Sequence, residues 1–69
     1  SDYAIDFVRV FLEGDYVTAI ECLTVLEEFS RDLSKQIKDE IYSLIDENPI
    51  PSANEKATLK TELISILYS

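Results

Sequence analysis

Fourteen carboxylates and a single thiol, Cys22, carry most of the reactive chemistry available to this sequence, because its 69 residues include no histidine. Without imidazole there is no Ser-His-Asp or Cys-His relay and no ordinary imidazole metal ligand. Three carboxylate pairs, Glu27-Glu28, Asp39-Glu40 and Asp46-Glu47, could serve acid–base work only if their oxygens converged on one proton or one bond. Adjacent residues on a helix point about 100° apart, so these pairs read as solvated faces. The run Asp46-Glu47-Asn48 lacks the alternating oxygen ligands, glycine turn and distal glutamate of a calcium loop. No glycine-rich stretch could cradle a phosphate, since the chain has one glycine. Cys22 falls on an apolar helical face beside Leu26 and Phe29 and reads as a small core residue rather than a nucleophile. The expectation is a protein that is not an enzyme, with no catalytic residues, no cofactor and no metal site.

What remains is charge. Fourteen acids against six bases give a net charge of -8, and the imbalance is uneven. Residues 1–29 hold seven acids and one base, net -6, whereas residues 30–69 hold seven acids and five bases, net -2. Nucleic-acid binding depends on Lys and Arg displacing counterions from phosphates, so such a field disfavours nucleic acid and anionic lipid surfaces alike. It attracts and steers a basic protein. No apolar run of about 18 residues and no basic-then-apolar leader is visible, which predicts neither a membrane span nor a signal peptide. One cysteine permits no intrachain disulfide, and a cytoplasmic location follows as the expectation.

The elements that must position these groups are four helices in a single acidic domain, residues 1–69, expected at about 2–13, 16–29, 31–47 and 53–68. Gly14 follows the first helix where a C′ residue takes positive φ. Asp15 is placed to cap the second helix. Ser30 or Asp32 caps the third, which Pro49 ends by forcing Asn48 out of helical geometry. The fourth opens with the capping box Ser52-Ala53-Asn54-Glu55. No repeat or long linker interrupts the pattern, so the fold class is all-α, a small bundle of four short helices.

Helical spacing says what each element hides. The second helix gathers Tyr16, Ala19, Cys22, Leu23, Leu26 and Phe29 on one face. The third presents Leu33, Ile37, Ile41, Leu44 and Ile45, and the fourth Leu59, Leu63, Ile66 and Leu67. The first differs: Asp2, Asp6, Arg9 and Glu13 share an arc of about 60°, and apolar residues fill the rest. β-Branched and aromatic residues would also suit a strand over "YAIDFVRVFL", but the alternation breaks at Phe7-Val8 and the charges keep helical spacing. A helix so widely apolar either packs centrally or offers a face, Tyr3, Phe7, Val8, Phe11 and Leu12, to a second copy or another protein.

Three family likenesses attach to these residues. "GDYVTAIECLTVLEEF" resembles the segment after the modified serine of acyl carrier proteins, through Asp15, Val17, Ile20, Glu21, Leu26, Glu27 and Glu28. Tyr16 stands where that serine would carry its prosthetic arm, and too little chain precedes it, so the carrier function does not transfer. The "GDYxxAIxxL" rhythm also resembles the second helix of a tetratricopeptide repeat, yet it occurs once, and such repeats need about three units to stack. The span from "FLEGDYVTAIECLTVLEEF" through "KDEIYSLIDENPIPSANE" looks like the small acidic helical immunity proteins of bacterial contact-dependent growth inhibition systems. That resemblance implies a helical inhibitor that binds a basic toxin or nuclease and blocks it without chemistry.

The expected function is accordingly a non-catalytic protein-binding module whose acidic residues Asp6, Glu13, Asp15, Glu21 and Glu28 engage a basic partner. The alternative is a homodimer or scaffold domain that uses the apolar first helix.

Overall fold

A computed structural model describes residues 2–68 of the chain, and the side chains of residues 3–68. Four α-helices run α1 (Asp2–Glu13), α2 (Tyr16–Phe29), α3 (Lys35–Glu47) and α4 (Lys56–Tyr68), with a 3₁₀ turn over Ser30–Asp32 between α2 and α3. The fold is a small all-α bundle arranged as a ring. α1 packs on α2 and α3, and α4 packs on the same two helices, so α1 and α4 are diagonal to one another. Of the two alternatives for α1, central packing is not what forms: the helix is a corner with two helical neighbours. Its apolar residues still find cover. Ala4, Val8 and Phe11 are buried and Ile5, Phe7 and Leu12 pack against the core as half-buried residues.

The core takes one face from each helix: Ala4, Val8 and Phe11 of α1, Ala19, Cys22, Leu23 and Leu26 of α2, Ile41 and Ile45 of α3, and Leu59, Leu63 and Leu67 of α4. Their spacing by three or four residues, close to the helical period, is what turns them inward together. Leu33, Ile37 and Leu44, which complete the α3 stripe, are half-buried at its margin.

Local signals set the ends of the helices, and three of them differ from expectation. Gly14 keeps a helical hydrogen bond, its N–H donating to the Val10 carbonyl at 2.8 Å, and does not adopt positive φ. The glycine is required by space instead. A Cβ at this position would lie 2.8 Å from Thr18 Cγ2 and 2.9 Å from the Val10 carbonyl oxygen. The turn itself is made by Asp15, whose extended backbone reverses the chain and whose carboxylate caps α2.

The second correction concerns α3, which starts at Lys35 rather than residue 31. Ser34 is the cap, its hydroxyl accepting from the Ile37 N–H at 3.2 Å. Ser30 turns its hydroxyl back to the Glu27 carbonyl at 3.3 Å, and Asp32 lies in the 3₁₀ turn. The extended backbone at Leu33 (φ -78°, ψ 135°) separates turn from helix and leaves that side chain against the core.

The third correction concerns α4, which starts at Lys56 rather than residue 53, and the expected Ser52–Glu55 capping box does not form. Pro51 to Asn54 closes a tight turn, with the Asn54 N–H donating to the Pro51 carbonyl at 2.9 Å. Asn54 then caps α4, its side-chain oxygen accepting from the Lys56 N–H at 2.8 Å. At the other end of this link, Asn48 closes α3 as expected from Pro49, donating its side-chain amide to the Leu44 carbonyl at 2.8 Å.

The later start of α4 delivers Lys56 to a particular place. Its Nζ donates to the Leu12 carbonyl at 2.9 Å and to the Gly14 carbonyl at 2.8 Å, and lies 5.7 Å from the centre of the Phe11 ring. These are acceptors at the C-terminal end of α1, where a helix carries orphan carbonyls and partial negative charge. α1 has no basic residue in its own last turn. Lys56 supplies that cation from the diagonal helix. It is 8% exposed, and among the described residues no carboxylate lies within 4.0 Å of its Nζ, so carbonyls and an aromatic face take the place of a counter-ion.

Two substitutions test this framework by urea denaturation. Lys56→Met keeps the aliphatic stem but orphans both carbonyls, and is expected to cost about 2 to 3 kcal/mol; a loss below about 0.5 kcal/mol would refute the bridging role. Gly14→Ala is expected to cost about 1 to 3 kcal/mol through overpacking, and Gly14→Asn at least as much. A glycine held at positive φ would give the opposite order, because asparagine tolerates that region better than alanine.

Candidate functional site

The α1–α2 hairpin carries the acidic residues singled out from the sequence, and the Phe7–Phe29 ring contact, centroids 6.1 Å apart, shows which flanks of the two helices meet. With that flank fixed, helical spacing puts Asp6 and Glu13 on the outer side of α1 and Glu21 and Glu28 on the outer side of α2. All four are exposed. Among the described residues none of them forms an ion pair within 4.0 Å; the pair present there is Lys35–Asp39, at 4.0 Å and well exposed, which contributes little.

Asp15 does not join this set in the same way. It is exposed, but its carboxylate accepts from the Thr18 N–H at 2.8 Å. That backbone hydrogen bond, reinforced by the Thr18 side chain, holds its carboxyl below the usual aspartate value, with a smaller contribution from the positive charge of Lys56. Its oxygens are therefore committed to starting α2.

The proposed oligomer face divides. Tyr3 is 79% exposed, and Phe7 and Leu12 are half-buried. Val8 and Phe11 are fully buried in the chain's own core and present no surface to a second molecule. The correction has a simple cause: a helix at the corner of a ring spends about half its circumference on its neighbours, and these two residues point to the middle of that half.

Val10, Val17, Ile20 and Val25 are exposed apolar residues of the hairpin outside the expected oligomer face, and two of them lie where α1 and α2 meet. Val10 is 47% exposed and Val25 39% exposed. Spacing sets Tyr3 and Val10 on the α2-facing edge of the outer side of α1, and Val25 on the α1-facing edge of α2. The signal was present in the heptad-like intervals Tyr3–Phe7–Val10, but the direction of α2 was needed to read it.

Apart from Arg9, which shares the α1 arc with Asp6 and Glu13, the basic side chains belong to other elements. Arg9 and Lys35 line an open groove of about 620 Å³ between α1 and α3, together with Asp39, Glu40 and Glu47. Arg31 and Lys38 line a second cleft with Glu27 and Ser30, near α4. Both grooves mix signs, so their fields cancel over short distances. On the α1–α2 hairpin the balance is far more uneven, with Arg9 the one base against seven acids in residues 1–29.

The remaining reactive group is closed off. Cys22 is buried, and burial, with a smaller contribution from Glu21, pushes its thiol above the ordinary value. Among the described residues no three His, Cys, Asp or Glu side chains come together as metal ligands. No helix among them is long and apolar enough to cross a membrane. At the end of α4, the Tyr68 hydroxyl donates to Asp39 Oδ1 at 3.1 Å and its ring meets Tyr42 edge-on at 6.1 Å. Burial of the phenol, and then this hydrogen bond, raise its pKa above the ordinary value; the contact reads as a clasp between α4 and α3.

No family model, curated protein or solved structure matches this chain.

The state of Cys22 can be measured directly. Native protein at pH 7.5 is expected to react with a thiol-specific disulfide reagent at least about 100-fold more slowly than the urea-unfolded chain, since thiolate formation and access are both suppressed. Equal rates would show an open, reactive thiol.

Proposed function

We propose that the protein is a non-catalytic binding module that engages a basic protein through the outer face of the α1–α2 hairpin, as an immunity or inhibitor protein of the cytosol neutralising a basic toxin or nuclease. The observation that carries this reading is the set Asp6, Glu13, Glu21 and Glu28: four exposed carboxylates on one face, none of them ion-paired within 4.0 Å among the described residues, against the single base of the hairpin, Arg9. Like charges held together in this way repel one another, and a cationic surface relieves the repulsion as it arrives. The same field accelerates encounter and discriminates against acidic proteins and nucleic acids. Binding and occlusion suffice for inhibition, so the reading needs no reactive group.

A homodimer through α1 is the weaker reading. A two-fold contact repeats the same patch on both partners, and here it would set one row of carboxylates against another. Sedimentation at micromolar concentration is expected to give a monomer.

The test begins with partners recovered from the source cells at low ionic strength, followed by association kinetics with the purified partner. Reversal of the four carboxylates to lysine is expected to lower the association rate by about tenfold or more and to flatten its dependence on salt. Asp15 stays unchanged in that variant, because reversing it would also remove a helix cap. Kinetics indifferent to the four reversals would overturn the proposal.

A further inference from the structure

The α1–α2 face is more than an acidic surface, because an apolar groove runs between its two rows of carboxylates. Tyr3, Phe7 and Val10 edge the groove from α1 at i, i+4 and i+7, and Val25 and Phe29 edge it from α2. Tyr3, Val10 and Val25 are exposed, whereas Phe7 and Phe29 are half-buried and meet at its floor. Each row of acids has the same interval: Asp6 and Glu13 are seven residues apart, as are Glu21 and Glu28. Seven residues of helix rise about 10.5 Å, or two turns.

We infer that this groove recognises a basic amphipathic helix of a partner protein, whose apolar stripe lies between α1 and α2 while its Lys or Arg side chains reach the carboxylates on either bank. The inference rests on the binding role proposed above and narrows it. An amphipathic helix presents apolar anchors at i, i+3, i+4 and i+7, the repeat at which the groove offers its own side chains. Cations on both flanks of such a stripe reach the carboxylates of the two rows.

Charge selects this occupant over others. A second copy of the chain would bring carboxylates to carboxylates, and nucleic acid would bring phosphates to them. A compact basic surface without a protruding helix would satisfy the acids but leave Tyr3, Val10 and Val25 in water. The α1–α3 groove has a volume of about 620 Å³, but Arg9 and Lys35 neutralise part of its acidity, and its lining has no exposed apolar pair to anchor a helix.

The test uses isotope-labelled protein and two synthetic peptides of about 18 residues, long enough to span roughly 27 Å as a helix. Both contain only leucine and lysine in equal proportion, one arranged as an amphipathic helix and one scrambled so that no stripe forms. The amphipathic peptide is expected to shift the amide resonances of Tyr3, Val10 and Val25 and to bind about tenfold tighter than the scrambled one. The double substitution Val10→Ser and Val25→Ser, at exposed positions, is expected to remove that preference while leaving binding of the scrambled peptide unchanged. Equal affinity for the two peptides would overturn the groove but leave the acidic surface standing. Shifts confined to the α1–α3 groove would overturn the placement. Failure of both peptides to bind at low salt would overturn the groove and the binding role together.

Discussion

An ammonium group held out of water must find acceptors for its protons, and in a bundle of four short helices the requirement falls on Lys56. Its hydrogen bonds to the Leu12 and Gly14 carbonyls, with the Phe11 ring nearby, join the start of α4 to the end of the helix diagonal to it. The placement is unfavourable for α4 alone, since a cation stands in the first turn where the helix dipole prefers an anion. It is favourable for α1, whose last turn lacks a cation of its own. The balance tips toward α1 because two short charge-assisted hydrogen bonds outweigh a dipole interaction of about 0.3 to 1 kcal/mol. Gly14, the Asn54 cap and the turn at Pro51 all serve this contact, because each controls where a carbonyl or an amine arrives.

The two N-terminal helices were legible to the residue, from Asp2 to Glu13 and from Tyr16 to Phe29. One glycine followed by one good capping residue leaves a single economical place to turn. The later boundaries were harder because the segment from Ser30 to Ser34 offers three capping side chains, and packing of Leu33 decides among them. The segment from Ser52 to Asn54 offers two, and the turn at Pro51 selects Asn54 over the capping box. Lys56 shows the limit of pattern reading most clearly. It stands in register with Leu59, Leu63 and Leu67, so its direction into the core was visible, but a lysine in an apolar stripe has meaning only once the carbonyls opposite it are known. The acidic residues were legible as exposed, and Asp15 was legible as a cap, yet the groove between Asp6 and Glu28 needed the relative direction of two helices.

The fold sorts charge by position. Of the bases in the C-terminal half, Arg31, Lys35 and Lys38 line mixed-sign grooves with acids, and Lys56 is inside the bundle on backbone carbonyls. The hairpin sets seven acids against one base, Arg9. A protein of net charge -8 thereby concentrates its unbalanced field on one surface instead of spreading it, and that concentration turns a solubility property into a directional one.

The ring arrangement also has a kinetic side. α1 with α2, and α3 with α4, are neighbours both along the chain and in space, so each pair forms through short loops at small entropic cost. The contacts that join one pair to the other close much longer loops, and the Lys56 bridge spans 42 to 44 residues. The native topology therefore divides into two local hairpins, with the Lys56 bridge as a long-range contact between them. A topology this rich in local contacts belongs with the fast-folding helical bundles, in the microsecond to millisecond range.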